Sequence, residues 1–414
     1  MADVRLHSPF PIASVREQFP ALGRTHRGRP VAYLDGPGGS QVCRGAIDAV
    51  RSYMERGGAN LHGQFATSHE TEENFTLARQ AMADLLSAQP EEIAFGPNMT
   101  TLCFSISRAL ARTWRPGDEV VVTEMDHFAN VSPWVEAAKD RGVTVRTIPL
   151  DPRRLTLDLT GLDGILTERT RVVAVGLASN GIGAVNDVAA VARAAHERGA
   201  IVVVDAVHAV PHFLVERDAL GADVLLCSAY KFFGPHVGIA CIRRELFEQL
   251  RPYKVLPAPD EIPDKLETGT QNHEGLPGVT AAVEFIASLG AGETRRERIR
   301  AGYEAIEAHE GRIAEELREN LAALPGVTLF TPKTPRRTPT IALAIDGASP
   351  LEFCRFAHEE HGIFVADGHF YAVTLGERTG VNAIGGWIRA GLAPYSTDEE
   401  GERLLTAVRE YVTR

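Results

Sequence analysis

Between about residues 30 and 280 the chain alternates short apolar runs with longer segments of helical periodicity. The short runs are Ile93–Phe95, Glu119–Thr123, Thr144–Pro149, Arg171–Leu177, Ala200–Val204, Asp223–Cys227 and Gly238–Ile242. Such runs, dense in Val and Ile, predict strands covered on both faces. Helical stretches lie between most of them, among them Leu102–Ala111 and Asp187–Arg198, and Arg44–Glu55 and Thr71–Leu86 precede the first. Gly117-Asp118 and Gly199 mark turns at the boundaries. The alternation predicts an α/β fold built on a mostly parallel seven-stranded sheet.

From Glu293 the pattern changes. Arg295–Leu324 reads as a long, charged amphipathic helix. It is followed by the strand-like Val327–Phe330, a Pro/Thr-rich basic turn (residues 331–338), and the strand-like Thr340–Ala344. The helix Pro350–His361, the strand Gly362–Ala366 and a final helix Asp398–Val412 complete a smaller α+β domain. A chain of 414 residues exceeds what one core usually supports. The expected division is a large domain over 26–285 and a small one over 286–414 joined by 1–25.

The net charge is −11, which argues against nucleic acid or an anionic membrane as the main partner. No apolar stretch reaches the roughly 18 residues of a bilayer span. Met1–Arg5 opens no basic-then-apolar signal pattern. The five cysteines, Cys43, Cys103, Cys227, Cys241 and Cys354, show neither CxxC nor metal-ligand spacing. These features predict a cytoplasmic protein with free thiols and no metal.

The chemistry concentrates at strand ends. Ile201–Val204 runs directly into Asp205, and Lys231 follows the apolar Ala222–Leu226 in the run Cys227–Pro235. A lysine and a carboxylate so placed are what pyridoxal phosphate chemistry needs: the amine binds the cofactor, and the carboxylate pairs with its ring nitrogen. Gly96–Thr101 opens a helix after a strand, which places Thr100 and Thr101 for holding phosphate. The same stretch fits ordinary N-capping. His127, just past Glu119–Thr123, fits a ring that stacks on a planar cofactor or a structural histidine. Asn180 fits a donor to a phenolic oxygen or a turn residue. His208, three residues beyond Asp205, fits a polar contact to cofactor or substrate, or a filled polar gap. Ligands of open parallel sheets bind along this edge.

These residues carry a family resemblance. Residues 33–40, 126–131, 179–180, 205–208 and 228–235 resemble the fold-type I, class V aminotransferase family, nearest its cysteine desulfurase and selenocysteine lyase branch. The resemblance extends to Glu267–Asn272 and Trp387–Leu392. It implies pyridoxal 5'-phosphate as cofactor, with Lys231 the Schiff-base lysine, Asp205 the pyridine partner and His127 on the ring. It implies that Asn180 and His208 approach the phenolic oxygen, and that Thr100, Thr101, Ser228 and Tyr230 serve the phosphate. Thr270 would reach the phosphate of a second subunit, implying a homodimer with shared sites. Arg389 would clamp the α-carboxylate of a small amino-acid substrate.

One position departs from the branch. Its desulfurases carry sulfur on a loop cysteine after a Gly-His pair; here the loop is Asp367-Gly368-His369-Phe370-Tyr371, with Tyr371 at the cysteine's place. His369 and Tyr371 are therefore expected substrate-loop residues. The expected activity is a C–S lyase acting on cysteine or a cysteine derivative without a persulfide-carrying cysteine. The alternatives on the same scaffold are an aminotransferase and an amino-acid epimerase.

Overall fold

A computed structural model describes residues 10–414. The first nine residues of the expected small-domain segment 1–25, with the Met1–Arg5 reading, lie outside the described residues.

Seven strands form the central sheet: β1 Ile93–Gly96, β2 Glu119–Thr123, β3 Thr144–Ile148, β4 Thr170–Gly176, β5 Ile201–Asp205, β6 Val224–Ser228 and β7 Gly238–Ile242. Their order is β1-β7-β6-β5-β4-β2-β3. Every neighbouring pair is parallel except those made by β7, which runs antiparallel to both β6 and β1. Val202, Val203 and Val204 are wholly buried, as expected of a strand covered on both faces. One face packs with the helices Ala66–Leu86 and Gly275–Ser288, the other with Met99–Ala111 and Ser132–Arg141. Because β1, β2, β4, β5 and β6 point the same way, Gly96, Thr123, Gly176, Asp205 and Ser228 reach one edge together.

A second sheet has the order β8-β9-β11-β10, from β8 Val327–Leu329, β9 Thr340–Ile345, β10 Ala366–Gly368 and β11 Trp387–Gly391. The helices Arg295–Ala322, Pro350–His361 and Asp398–Val412 pack on it. The long helix opens on a capping box, with Thr294 and Glu297 satisfying each other's backbone amides.

Two expectations shift. The predicted strand Gly362–Ala366 breaks at Val365: Ile363–Phe364 pairs in parallel with Ala32–Tyr33, whereas β10 pairs antiparallel with β11. The helix expected from Thr71 starts at Ala66, before which Phe65 is extended and accepts from the Ser68 and His69 amides. Residues 10–23 seat on both layers. Phe19 meets Phe233, Phe285 and Tyr395 edge-on or tilted, and Arg16 pairs with Glu400 at 3.0 Å.

Candidate active site

The strand edge opens into a cavity of about 380 Å³. Asp35, Thr100, His127, Asn180, Asp205, His208, Ser228, Tyr230, Lys231, Tyr371 and Arg389 all line it. Most of the residues singled out from the sequence therefore converge on one space.

Lys231 sits in a single 3-10 turn, Ala229–Lys231, that stops β6 from running on. Its Nζ donates to the Pro37 carbonyl and lies 5.0 Å from the centre of the Tyr230 ring. Burial, then the nearby Arg389 charge, pulls its pKa from 10.5 down to about 8. An amine so placed is readily neutral and nucleophilic. Asp205 ends β5, and its Oδ1 accepts from the Val207 amide at 2.9 Å. Its remaining exposure is to the cavity. Burial raises its pKa to about 7, and the Asp126 charge adds to the rise. A buried carboxylate short of partners favours a cationic N–H beside it, as a pyridinium nitrogen supplies.

His127 accepts from the Ala129 amide through Nδ1 at 3.0 Å, so its neutral form carries the proton on Nε2. Burial, with Lys231 and Arg389, lowers its pKa to about 4, which keeps the ring neutral. A neutral, flat ring at the cavity wall suits stacking on a planar ligand.

The helix Met99–Ala111 begins at the cavity, where its first turn would hold a phosphate. Ser228 Oγ accepts from the Met99 amide at 3.0 Å. Asn98 caps the helix, accepting from the Thr101 amide at 2.9 Å and the Thr101 hydroxyl at 3.0 Å. Thr100 faces the cavity; Thr101 does not line it. The cap holds the Thr101 hydroxyl, and one residue step turns the helix by about 100°. At Gly238 a Cβ would come within 2.3 Å of the Asn98 backbone, so only glycine lets the helix start approach β7 this closely. Tyr230 lines the cavity with its ring stacked on His236, centroids 4.8 Å apart.

Arg389, 2% exposed, lies on β11. Its guanidinium donates to the Asn180 carbonyl at 3.0 Å and to Asp35 Oδ1 at 2.9 Å, and the Phe370 ring covers it at 3.5 Å. Its Nε is left without a partner, as are Asn180 Oδ1 and His208 Nδ1. Buried polar atoms in this state call for a ligand or water. A planar, phosphorylated, oxygen-bearing group fits the set: an amine, a carboxylate, a helix start, and three orphaned polar atoms. His208 would face its ring oxygen, with Asn180 Oδ1 open only to a ring hydroxyl that donates; Thr100 and Ser228 would face its phosphate, and Asp205 its ring nitrogen.

The substrate loop is pinned. Asn180 Nδ2 donates to the Phe370 carbonyl at 2.8 Å, and the Phe128 amide donates to the Tyr371 carbonyl at 2.9 Å. Tyr371 stacks on His127, centroids 5.2 Å apart. Phe370 and Tyr371 both have positive φ, 52° and 60°, a costly conformation for two aromatic residues in succession. His369 does not line the cavity; its Nδ1 accepts from the Tyr371 amide at 3.2 Å and braces the turn. Thr270 also lies elsewhere, in a separate cleft with His62, Phe75 and His273.

Asp35, Asp126 and Phe370 escaped the sequence reading as site residues. Asp126 accepts from Thr123 and Asn130 at 2.7 and 2.8 Å, and burial raises its pKa to about 6. Its place directly before His127, past a strand end, was the available signal. Asp35 lay in the matching run 33–40 and Phe370 in the loop 367–371, but their contacts to Arg389 left no trace in sequence.

The chain belongs to the class-V aminotransferase family, which it matches over residues 32–404. It is accordingly a pyridoxal 5'-phosphate enzyme of fold type I. It is 31% identical to a cysteine desulfurase of Dickeya dadantii, over 96% of each chain. It is 30% identical to one of Pectobacterium carotovorum, covering 97% of this chain and 98% of that one. Among solved structures it resembles the cysteine desulfurase CsdA of Escherichia coli (TM-score 0.85, 27% identity, 98% and 99% of the chains covered). It also resembles an apo cysteine desulfurase of Thermococcus onnurineus (TM-score 0.87, 26% identity, 98% and 99% covered). No helix among the described residues is long and apolar enough to cross a membrane.

Proposed function

We propose that this protein is a C–S lyase acting on cysteine or a cysteine derivative, and that it releases the sulfur directly rather than onto a cysteine of its own. The relatives named cysteine desulfurase support the substrate class. The observation that carries the direct release is Tyr371, held against His127 at the mouth of a cavity that no cysteine lines. Cys43, Cys103, Cys227 and Cys241 are buried, and Cys354 packs at the edge of the second sheet's core. A phenol cannot store sulfane sulfur, and a loop fastened at Phe370 and Tyr371 is poorly suited to carrying it away.

The roles follow from placement. Arg389 binds the α-carboxylate, and Asp35 and Phe370 fix the plane of its fork. Lys231, low in pKa, takes the α-proton. The bound cofactor supplies the electron sink that makes this proton acidic. Asp205 keeps the opposite charge beside the ring nitrogen, and His127 covers the ring and limits water. The net reaction on cysteine is cysteine plus water giving pyruvate, ammonia and hydrogen sulfide. The test is incubation with cysteine, cystine and S-alkylcysteines, assaying pyruvate and ammonia from each, with sulfide from cysteine, thiocysteine from cystine and the alkyl thiol from the S-alkylcysteines. Absence of pyruvate from every one, with keto-acid formation or loss of optical activity from another amino acid, overturns the lyase reading.

Three expectations accompany this reading. Arg389→Lys raises KM about 10- to 100-fold, because one ammonium cannot reproduce a bidentate fork; steady-state kinetics measure it. Tyr371→Cys gains no persulfide, as mass spectrometry after cysteine turnover would read. Thr270 serves the site of a second copy, which the exposed apolar Ile47 and Met54 also favour; sedimentation of the cofactor-bound protein should then give a dimer. The free thiols fit a cytoplasmic setting.

A further inference from the structure

His208 reaches the cavity from one side and is held from the other. Its Nε2 lies 3.1 Å from Thr338 Oγ1 and 2.9 Å from Thr340 Oγ1, and the two hydroxyls are 3.0 Å apart. All three residues are almost fully buried. The threonines are fixed in turn by Arg318, buried on the long helix, whose Nη2 donates to the Thr338 and Thr340 carbonyls at 2.8 and 3.0 Å. The strand Thr340–Ile345 belongs to the second sheet, so the ring of His208 is gripped by the layer opposite its own.

Counting protons in this triangle decides the tautomer. Two hydroxyl protons are present, and neither hydroxyl has another partner among the described residues. If Nε2 holds a lone pair, Thr338 donates to Thr340 and Thr340 donates to Nε2, and every donor is used. If Nε2 holds a proton, three donors face two oxygens, and one buried hydroxyl proton is stranded. A stranded buried donor costs about 1–3 kcal/mol, and such groups are rare. The doubly protonated ring is excluded separately: burial, the neighbouring His212, and the charges of Lys231 and Arg389 all oppose it. The remaining nitrogen, Nδ1, is the one left without a protein partner.

We infer that Thr338 and Thr340 are positioning residues that hold His208 neutral with its proton on Nδ1, so that the ring presents a hydrogen-bond donor to an oxygen of the cofactor. The inference rests on the cofactor class and is independent of which substrate the enzyme cleaves. It also gives the second sheet a role in the electronics of the cofactor site, beyond carrying Arg389.

The test is nitrogen-15 NMR of the histidine rings in the cofactor-free protein, with the His208 signals assigned by their loss in His208→Asn. The expected wild-type pattern is a protonated Nδ1 and a lone-pair Nε2. In the double variant Thr338→Val/Thr340→Val that single pattern is lost and the proton spreads over both nitrogens; the Thr338→Ser/Thr340→Ser pair restores it. Cofactor affinity, followed by fluorescence titration, falls about fivefold in the valine pair, near the value of one ordinary hydrogen bond, and recovers in the serine pair. A proton on Nε2 in the wild type overturns the inference. So does a valine pair with unchanged ring signals and affinity. Should the valine pair fail to fold, the wild-type spectrum and the serine pair still decide.

Discussion

Replacing Lys231 with alanine is expected to abolish the visible absorption of lysine-bound cofactor and to lower turnover at least on the order of 10⁴-fold. Both losses come from one atom. On the proposed reading Nζ is both the amine that binds the cofactor and the base that takes the α-proton. The same change should make the cofactor-free protein more stable at neutral pH. The folded-state pKa of Lys231 is pulled from 10.5 to about 8 by burial and by Arg389. Between those values the unfolded chain binds the proton that the folded chain has released. The penalty is therefore complete below about pH 8, and wild-type stability rises as pH climbs from there to about 10.5. Alanine removes both the penalty and this slope. Thermal melts of cofactor-free wild type and variant at pH 7 and pH 10 measure it: the variant should melt higher at pH 7, with the gap closing at pH 10. An equal gap at both values would show that the lysine carries no such strain.

Asp205→Asn should split stability from activity in a similar way. Asparagine keeps an acceptor for the Val207 amide but offers no charge to the ring nitrogen. Turnover should fall by about 10²- to 10³-fold, the usual loss when a preorganised charge is removed. Stability should move the other way. Burial raises the carboxyl from 3.8 to about 7, so the folded protein holds a proton in that window that the unfolded chain has lost. Wild-type stability therefore falls as pH rises from about 4 through 7. The variant lacks this decline and should outlast the wild type at pH 8 in the cofactor-free state. Adding cofactor should reverse the order, because only the aspartate gains a cationic partner. Unchanged turnover in the variant would show that another group pairs with the ring.

The strands were legible from their apolar runs, and the lysine–aspartate pair because both residues follow such runs, Asp205 directly and Lys231 a few residues on. In Ile201–Asp205 the boundary and the functional group coincide. Which threonine faces the cavity was not legible, because helix phase depends on which residue caps, and Asn98 takes that role. The break at Val365 was hidden because both halves read as apolar strand, and their partners, Ala32–Tyr33 and β11, lie far off in sequence. The threonine grip on His208 has the same character: Thr338 reads as the end of a Pro/Thr-rich turn and Thr340 as the start of a strand, and nothing in either pattern points to the ring they meet. Pairwise contacts between distant segments leave no periodic trace.

Such a contact also fixes when the site is finished during synthesis. Ala32–Tyr33 pairs with Ile363–Phe364, and Asp35 meets Arg389, so residues made first wait for residues made last. On the ribosome, where domains fold as they emerge, the seven-stranded layer and its lysine can form well before β11 exists. The Asp35–Ser40 loop has no sheet to join until then. A chain whose synthesis stalls before residue 363 would carry Lys231, Thr100 and Ser228 but not Arg389, on which the proposed substrate binding depends. Competence for the proposed catalysis is thereby reserved for a chain that extends through β11.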